Sequence, residues 1–322
     1  MLGLACALLG GAACASRPEG ELLHVSYDAT RALYEAMNLA FAATLEGAEA
    51  ERVRVRQSHG GSGKQARSVL EGLDADVLSL ALGWDLDMLA DAGLVAPTWK
   101  ERLPDGAVPY TSTVVLLVRA GNPKGVRDFA DLGRDDLAVL TPNPKTSGGA
   151  RYNHLAVWGS TFLRTGSRRE ADELVHRMYQ RVPILEAGAR AALTSFAERR
   201  IGDVLLAWES EARLAVEKLG RGELEIVVPA RSIYAETPVS VVDRVVDRRG
   251  TRALAERYVE FLWSEEAQAI AARHHLRPRR APSPLPELER FTVESLWGGW
   301  KSAHLEHFAD GASFDRAMET RR

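Results

Sequence analysis

The sequence has few cysteines, no surplus of positive charge and no long apolar run. Its only cysteines, Cys6 and Cys14, lie near the N-terminus of the 322 residues, which excludes a disulfide framework or a cysteine-ligated metal site from the rest of the chain. The formal net charge is −3, whereas a nucleic-acid binder usually presents a basic surface. A run of roughly 18 apolar residues, the length needed to cross a membrane, is also missing.

What is present is typical of a globular protein of two domains. The residues are 46% apolar and 26% charged, and the length allows two domains of ordinary size. We see no internal repeat and no low-complexity linker, so we expect two lobes that are joined by continuous strands.

Residues 1–15 predict a signal peptide. The segment is apolar and rich in small residues, and Ala13, Cys14 and Ala15 fit a cleavage site. Two alternatives remain: Cys14 could carry a lipid, although Gly11 is a poor match to the branched residue expected before such a cysteine, or the segment could form a buried helix.

Alternating strand and helix patterns organise the first part of the chain. Apolar residues predict strands near 22–26, 53–55 and 76–81, with helices between them and a loop at 57–64. This βαβαβ order favours a parallel sheet, in which ligands bind at the carboxyl ends of the strands. Asp28 and Ser62 lie at such ends.

A second loop that leads from a strand into a helix start lies within residues 141–158. Pro142 and Pro144 favour an extended turn, after which Ser147 can cap a helix that begins with Gly148 and Gly149. A capped helix start offers free N–H groups and the positive end of the helix dipole, which together suit an anion. Taken alone, the segment fits an ordinary capped helix equally well.

Similar small-residue helix starts occur near Asp28, at 60–63 and at Gly188–Ala189, and Trp208 follows a buried strand. Around one point, these groups would offer N–H and O–H donors and almost no acceptors. Such a site suits a fully ionised tetrahedral oxyanion, because none of its oxygens needs to donate. We therefore predict an anion site without catalytic residues, metal ligands or cofactor.

Two enzyme motifs come close to matching and fail. Residues 58–65 resemble a nucleotide-binding P-loop, but Ser58 and Gln65 replace the first glycine and the final hydroxyl residue. Residues 60–64 resemble a hydrolase nucleophile elbow that ends in Lys64 instead of glycine. His59 fits a packing role better than that of a base.

The remaining histidines give no clear metal pattern. The pairs 274–275 and 304/307 have no matching carboxylates at ligand spacing. Solvated helix positions explain them better, and the basic run 277–280 is typical of a solvated surface.

Several of these segments also resemble one known family, the bacterial periplasmic sulfate/thiosulfate-binding proteins of ABC transporters. The resemblance covers the chain from residue 22 onward, and the matching segments are VSYDATR (25–31), QSHGGSGKQ (57–65), NPKG (122–125), TPNPKTSGGAR (141–151), GAR (188–190) and GDVLLAW (202–208).

The resemblance implies how a sulfate would be held. Main-chain N–H groups, one hydroxyl and one indole would contact the anion, and no cationic side chain would do so. Arg151 and Arg190 would brace the binding loops, and Asp28 would act through its main chain. The residues implied are Asp28, Ser62, Ser147, Gly148, Gly149, Ala189 and Trp208.

The sequence thus predicts an α/β protein of two doubly wound lobes with a ligand cleft between them. We place lobe one at 22–113 plus 239–322 and lobe two at 114–238. The protein is expected to be a periplasmic monomer that captures sulfate or thiosulfate and delivers it to a membrane-embedded ABC permease. The alternatives are a binder of molybdate or phosphate and, from another class, a serine hydrolase or nucleotide-binding enzyme.

Overall fold

Two sheets, each flanked by helices, form the structure, which is a computed structural model that describes residues 18, 20–218 and 222–319. The predicted signal peptide lies outside the described residues. The strands are β1 Glu21–Tyr27, β2 Arg54–Gly60, β3 Val77–Ser79, β4 Tyr110–Arg119, β5 Val139–Pro142, β6 Leu185–Glu186, β7 Val204–Trp208, β8 Leu224–Val227, β9 Arg231–Glu236, β10 Val239–Val241, β11 Arg277–Pro278 and β12 Glu289–Phe291.

Helices connect these strands along the chain. They are α1 Arg31–Ala43, α2 Gly47–Arg52, α3 Ser62–Leu70, α4 Gly83–Asp91, α5 Pro104–Ala107, α6 Gly148–Thr165, α7 Arg168–Gln180, α8 Ala189–Ala197, α9 Glu209–Lys218, α10 Asp243–Arg249, α11 Arg252–Phe261, α12 Glu265–Arg273, α13 Val293–Trp297, α14 Trp300–His307 and α15 Ser313–Glu319. Within the described ranges, no helix combines the length and apolar character needed to cross a membrane.

The first sheet confirms the predicted parallel arrangement. Its strand order is β10-β3-β1-β2, with β1 parallel to both β2 and β3 and with β10 antiparallel to β3. The carboxyl ends of β1 and β2 therefore lie side by side. Tyr27 pairs with Gly60 at this edge, so the turn at Asp28 and the start of α3 are neighbours.

The second sheet is built around β4. The main strand order is β12-β9-β4-β7-β5-β6, and β8 and β11 also pair with β4. β4 is antiparallel to β7, whereas β5 is parallel to both β6 and β7. The carboxyl ends of β5 and β7 consequently bring the start of α6 and Trp208 to one edge.

The central helix α6 is buried on nearly all sides. Thirteen of its 18 residues are buried, which is expected for a helix with a core on more than one face. Gly166 ends α6 at a positive φ of 69°. Ser167 then caps α7 by accepting the Glu170 N–H at 3.2 Å.

One predicted loop was wrong, and one strand was missed. Residues 57–64 do not form a loop, because β2 extends to Gly60 and α3 begins at Ser62. β9 was not predicted at all, although its pairing with β4 and β12 makes it an interior strand of the second sheet. Its alternating pattern is short and lies between Pro229 and Pro238, so the sequence gives only a weak strand signal there.

The C-terminal segment, residues 289–319, packs mainly against the second sheet and its helices. β12 pairs with β9, and Phe314 of α15 contacts Tyr179 of α7 with ring centroids 5.1 Å apart. The same segment reaches the other half of the molecule, where His304 of α14 stacks on Trp84 of α4 at 4.6 Å. It therefore contacts the helices of both sheets.

A buried carboxylate ties the first sheet to α10. Asp76 is fully buried and accepts two hydrogen bonds from Arg249, at 2.6 and 2.7 Å. It also accepts from the Leu23 N–H and the Thr251 hydroxyl, each at 2.7 Å. Because one carboxylate satisfies this many donors, its loss would leave a nearly buried arginine without its charge partner.

We expect Asp76→Ala to lower the free energy of unfolding by about 3–5 kcal/mol, the usual effect of breaking a buried ion pair. Asp74→Ala is the matched control, because its pair with Arg248 is about half exposed on both sides and such pairs contribute about 0–1 kcal/mol. Urea denaturation measures both. Equal losses for the two variants would contradict the role given to Asp76.

Candidate functional site

The loop before α6 is folded by its own hydrogen bonds. The Asn143 carbonyl accepts the N–H groups of Thr146 and Ser147 at 3.1 and 2.9 Å, and the Asn143 side chain accepts the Lys145 N–H at 2.9 Å. Ser147 is buried and caps α6, as predicted, by accepting the Ala150 N–H at 3.4 Å. At the first positions of a helix the N–H groups have no intrahelical acceptor.

Glycine is required at this helix start because two other segments approach it closely. A methyl group on Gly148 would lie 2.9 Å from the Ala81 Cβ and 3.1 Å from the Ser62 Cβ, and one on Gly149 would collide with the Tyr27 hydroxyl. The start of α3 and the start of α6 are thus in contact, and the two sheets meet at this point.

Ser62 has its hydroxyl fully engaged within the protein. The hydroxyl donates to Asp85 and accepts the Ala81 N–H at 2.9 Å. Burial raises the pKa of Asp85, and the hydrogen bond from Ser62 opposes that rise. The Ser62 hydroxyl therefore has no hydrogen left to donate to a group outside the protein.

Asp28, which follows β1 of the first sheet, lies beside Gly188 at the start of α8. A methyl group on Gly188 would be 3.4 Å from Asp28 Oδ2, so the Asp28 carboxyl faces the start of α8. Burial raises the pKa of Asp28, while main-chain hydrogen bonds and the charges of Arg190 and Arg31 act against the rise.

Three buried polar atoms near this point have no hydrogen-bond partner among the described residues. They are Tyr27 Oη, Asp28 Oδ1 and Trp208 Nε1. The indole N–H of Trp208 lies 3.6 Å from the position of a methyl group on Gly149, and the rings of Trp208 and Tyr27 are 5.3 Å apart. The Tyr27 hydroxyl is close to Ser147 and to the Gly149 main chain, and the Asp28 carboxyl is close to main-chain N–H groups. Buried polar groups are normally satisfied, so the indole N–H of Trp208 is the atom that indicates a ligand.

A small cavity of about 10 Å³ lies beside Trp208. Its described walls contain no Lys, Arg or His. They are formed by Pro142, Gly149, Asn153, Ala189, Leu193, Leu205, Leu206, Ala207, Trp208 and Glu211. Three of the predicted site residues, Gly149, Ala189 and Trp208, therefore share one cavity. Ser62 lies against Gly148 and Asp28 lies against Gly188, next to Gly149 and Ala189 in the chain.

Sequence reasoning missed Glu211. It follows Trp208 by three residues, in the first turn of α9, where an acidic residue is ordinary because it complements the helix dipole. Burial and the charge of Asp28 raise the pKa of Glu211 to about 8. The sequence pattern did not predict this carboxyl group in the cavity wall.

Arg151 braces the loop before α6, as the resemblance implied. Its Nε donates to the Pro144 carbonyl at 3.0 Å, and its guanidinium lies 5.3 Å from the centre of the Phe308 ring. Lys145 also connects this loop to the C-terminal segment, since its Nζ donates to the Phe308 carbonyl at 2.9 Å and pairs with Asp315 at 3.0 Å.

The histidines have structural partners. His59 contacts the Ser26 hydroxyl at 2.6 Å, in agreement with the predicted hydrogen-bonding role. His307 is fully buried, contrary to the expected solvated position, and contacts His154 at 3.1 Å and the Trp297 indole N–H at 2.9 Å. In the part of the chain that the structure describes, no cluster of three metal-ligating side chains occurs.

Known proteins share both the sequence and the fold. Residues 22–277 match the family described as bacterial extracellular solute-binding protein. The sulfate-binding protein of Escherichia coli K12 is 49% identical over 92% of each chain. The thiosulfate-binding protein of Pseudomonas aeruginosa PAO1 is 45% identical, over 96% of this chain and 94% of the relative.

Two solved structures show the likeness in three dimensions. The sulfate-binding protein SubI from Mycobacterium tuberculosis H37Rv superposes with a TM-score of 0.80 at 28% identity, over 89% of this chain and 99% of that one. The periplasmic binding protein AfuA from Actinobacillus pleuropneumoniae has a TM-score of 0.64 at 18% identity, over 93% and 97%. The fold is the α/β fold of these binding proteins, as predicted.

We expect Ser62→Ala to lower the free energy of unfolding by about 1–3 kcal/mol, because it leaves buried Asp85 and the Ala81 N–H without their partner. Ser68→Ala on the same helix is the control, since its hydroxyl only bonds to the Lys64 carbonyl near the surface. Thermal unfolding of both variants measures the difference. A loss no larger for Ser62→Ala than for Ser68→Ala would contradict the assignment.

Proposed function

Because the chain belongs to the family of bacterial extracellular solute-binding proteins, we propose that it captures sulfate, and also thiosulfate, between its two halves. The observation that carries the proposal is the convergence of Trp208 Nε1 and the starts of α3, α6 and α8 on one point. The names of the relatives support the choice of ligand.

Neutral donors would hold the anion. Hydrogen bonds to a charged group contribute roughly 1.5–3 kcal/mol each, and association costs roughly 4–15 kcal/mol. About seven such bonds are compatible with micromolar affinity, which is about −8 kcal/mol. The proposed donors are the main-chain N–H groups of Asp28, Ser62, Gly148, Gly149 and Ala189, the hydroxyl of Ser147 and the indole of Trp208.

Closure of two lobes on the anion would form the complete site. The division at 22–113 plus 239–322 and 114–238 remains a prediction, and the packing of β12 and α15 favours grouping residues 289–319 with the second lobe. A ligand that binds the closed form more tightly shifts the population toward closure. Donors from both sheets supply this difference in affinity.

We place the protein in the periplasm as a monomer that delivers its anion to a membrane-embedded ABC permease, and we propose no catalytic activity. A serine hydrolase would need a base beside its serine. Ser62 instead donates to Asp85, and Ser147 accepts from a main-chain N–H. Both arrangements support the binding role.

Phosphate is the second candidate ligand, because of Glu211. A phosphate that still carries a proton is bound best by a site with a carboxylate acceptor, and Glu211 places a carboxyl group in the cavity wall. Molybdate remains an alternative that no feature of the cavity favours.

Calorimetric titration of the protein, freed of bound anion, with sulfate, thiosulfate, phosphate and molybdate tests the proposal. We expect one sulfate per chain at about micromolar affinity or tighter, and no heat from phosphate. Preference for phosphate or molybdate would overturn the ligand, and the absence of binding to all four would overturn the function.

We expect Ser147→Ala to weaken sulfate binding by about 1–3 kcal/mol, or about 5- to 150-fold, because one hydroxyl donor is lost. Ser167→Ala is the matched control, since Ser167 caps α7 in the same way and is outside the cavity. The titration measures both affinities. Unchanged affinity in Ser147→Ala, or an equal loss in the control, would contradict the role of Ser147.

A further inference from the structure

Glu211 is an acidic side chain in the wall of the cavity proposed for the anion. It shares that wall with Gly149, Ala189 and Trp208, three of the residues that would supply donors. A carboxylate and a divalent anion at one small cavity would repel each other strongly, because Glu211 is partly buried and solvent screens such charges much less than exposed ones. The position of Glu211 therefore conflicts with sulfate binding unless its charge is removed.

The surroundings of Glu211 favour the neutral acid. Asp28 and Tyr27 approach from the end of β1, and the negative charge of Asp28 adds to the effect of burial in raising the pKa of Glu211 to about 8. Arg190 of α8 and a main-chain hydrogen bond at Trp208 act in the opposite direction. The carboxyl group thus lies between one acidic neighbour and one basic neighbour, and burial decides the balance.

Other charged groups on and around α9 have partners elsewhere. Glu209 pairs with Arg213 and with Arg277, at 3.0 and 2.8 Å. Glu217 pairs with His275 at 2.9 Å. On the adjoining strand β8, Glu225 accepts the Gly121 N–H at 3.1 Å.

We propose that Glu211 is a specificity-determining residue of the anion site. The site accepts a fully ionised oxyanion while Glu211 carries a proton, and it rejects that anion once the proton is lost. The inference rests on the proposed function, since it concerns the same cavity. As a neutral acid, Glu211 adds an O–H donor and no charge. As a carboxylate, it would add a negative charge next to Trp208.

Proton binding and anion binding are then linked. The anion binds the protein more tightly when Glu211 is protonated. When Glu211 is deprotonated in the free protein, anion binding therefore takes up one proton from solvent. Bound anion in turn strengthens proton binding to Glu211 by the same factor by which the proton strengthens anion binding. Below the pKa of Glu211 the affinity for sulfate is constant. Above it the affinity falls, approaching about tenfold for each pH unit.

Sulfate titrations over about two pH units on either side of that pKa test the inference, because sulfate itself stays fully ionised throughout. We expect the wild-type Kd for sulfate to be constant in the lower half of this pH range and to rise at least about tenfold across the upper half. Glu211→Gln keeps the shape and stays neutral, so its Kd should not change with pH. Glu217→Gln, on the exposed end of the same helix, should keep the wild-type profile.

A second readout does not depend on a variant. Titration of the wild-type protein in two buffers with different heats of ionisation measures proton uptake, and we expect about one proton for each sulfate near the upper end of the range. A constant wild-type Kd, zero proton uptake, or the same fall in Glu211→Gln would overturn the role of Glu211 and leave sulfate binding intact. The absence of binding in the lower half would overturn the proposed function as well.

Discussion

Main-chain contact between the two halves of the molecule is the constraint on which the site depends. A methyl group on Gly61 would lie 2.8 Å from the Thr146 carbonyl, and methyl groups on Gly148 and Gly149 would meet Ala81 and Tyr27. Side chains larger than hydrogen at these positions would hold the starts of α3 and α6 apart. The two sheets and their loops are arranged so that helix starts approach one another without side chains between them.

A second layer of charged groups stabilises this arrangement from behind. Arg151 donates to the Pro144 carbonyl, and Asp85 accepts from the Ser62 hydroxyl. The charged groups of Arg151 and Asp85 therefore bind other parts of the protein. The described cavity walls contain no cationic side chain, so the donors that we propose for the anion are neutral. Glu211 fits the same rule when it is protonated, because the cavity then contains no net charge of its own.

Local patterns in the sequence were sufficient to find the helix starts. The prolines and glycines at 142–149 and the βαβαβ order predicted α6, its Ser147 cap and the parallel pairing of β1 with β2 and β3. Features that depend on distant contacts were missed. β9 is stabilised by β4 and β12, and Glu211 looks like an ordinary acid at a helix start until Asp28 and Trp208 are placed beside it.

The tie between Lys145 and the Phe308 carbonyl joins residues 163 positions apart in the chain. During synthesis, the loop before α6 emerges long before the segment that fixes it, and such distant contacts form late in folding. The loop cannot reach its final braced form until the C-terminal segment has docked. The Lys145 contacts therefore couple the order of this loop to the docking of α15.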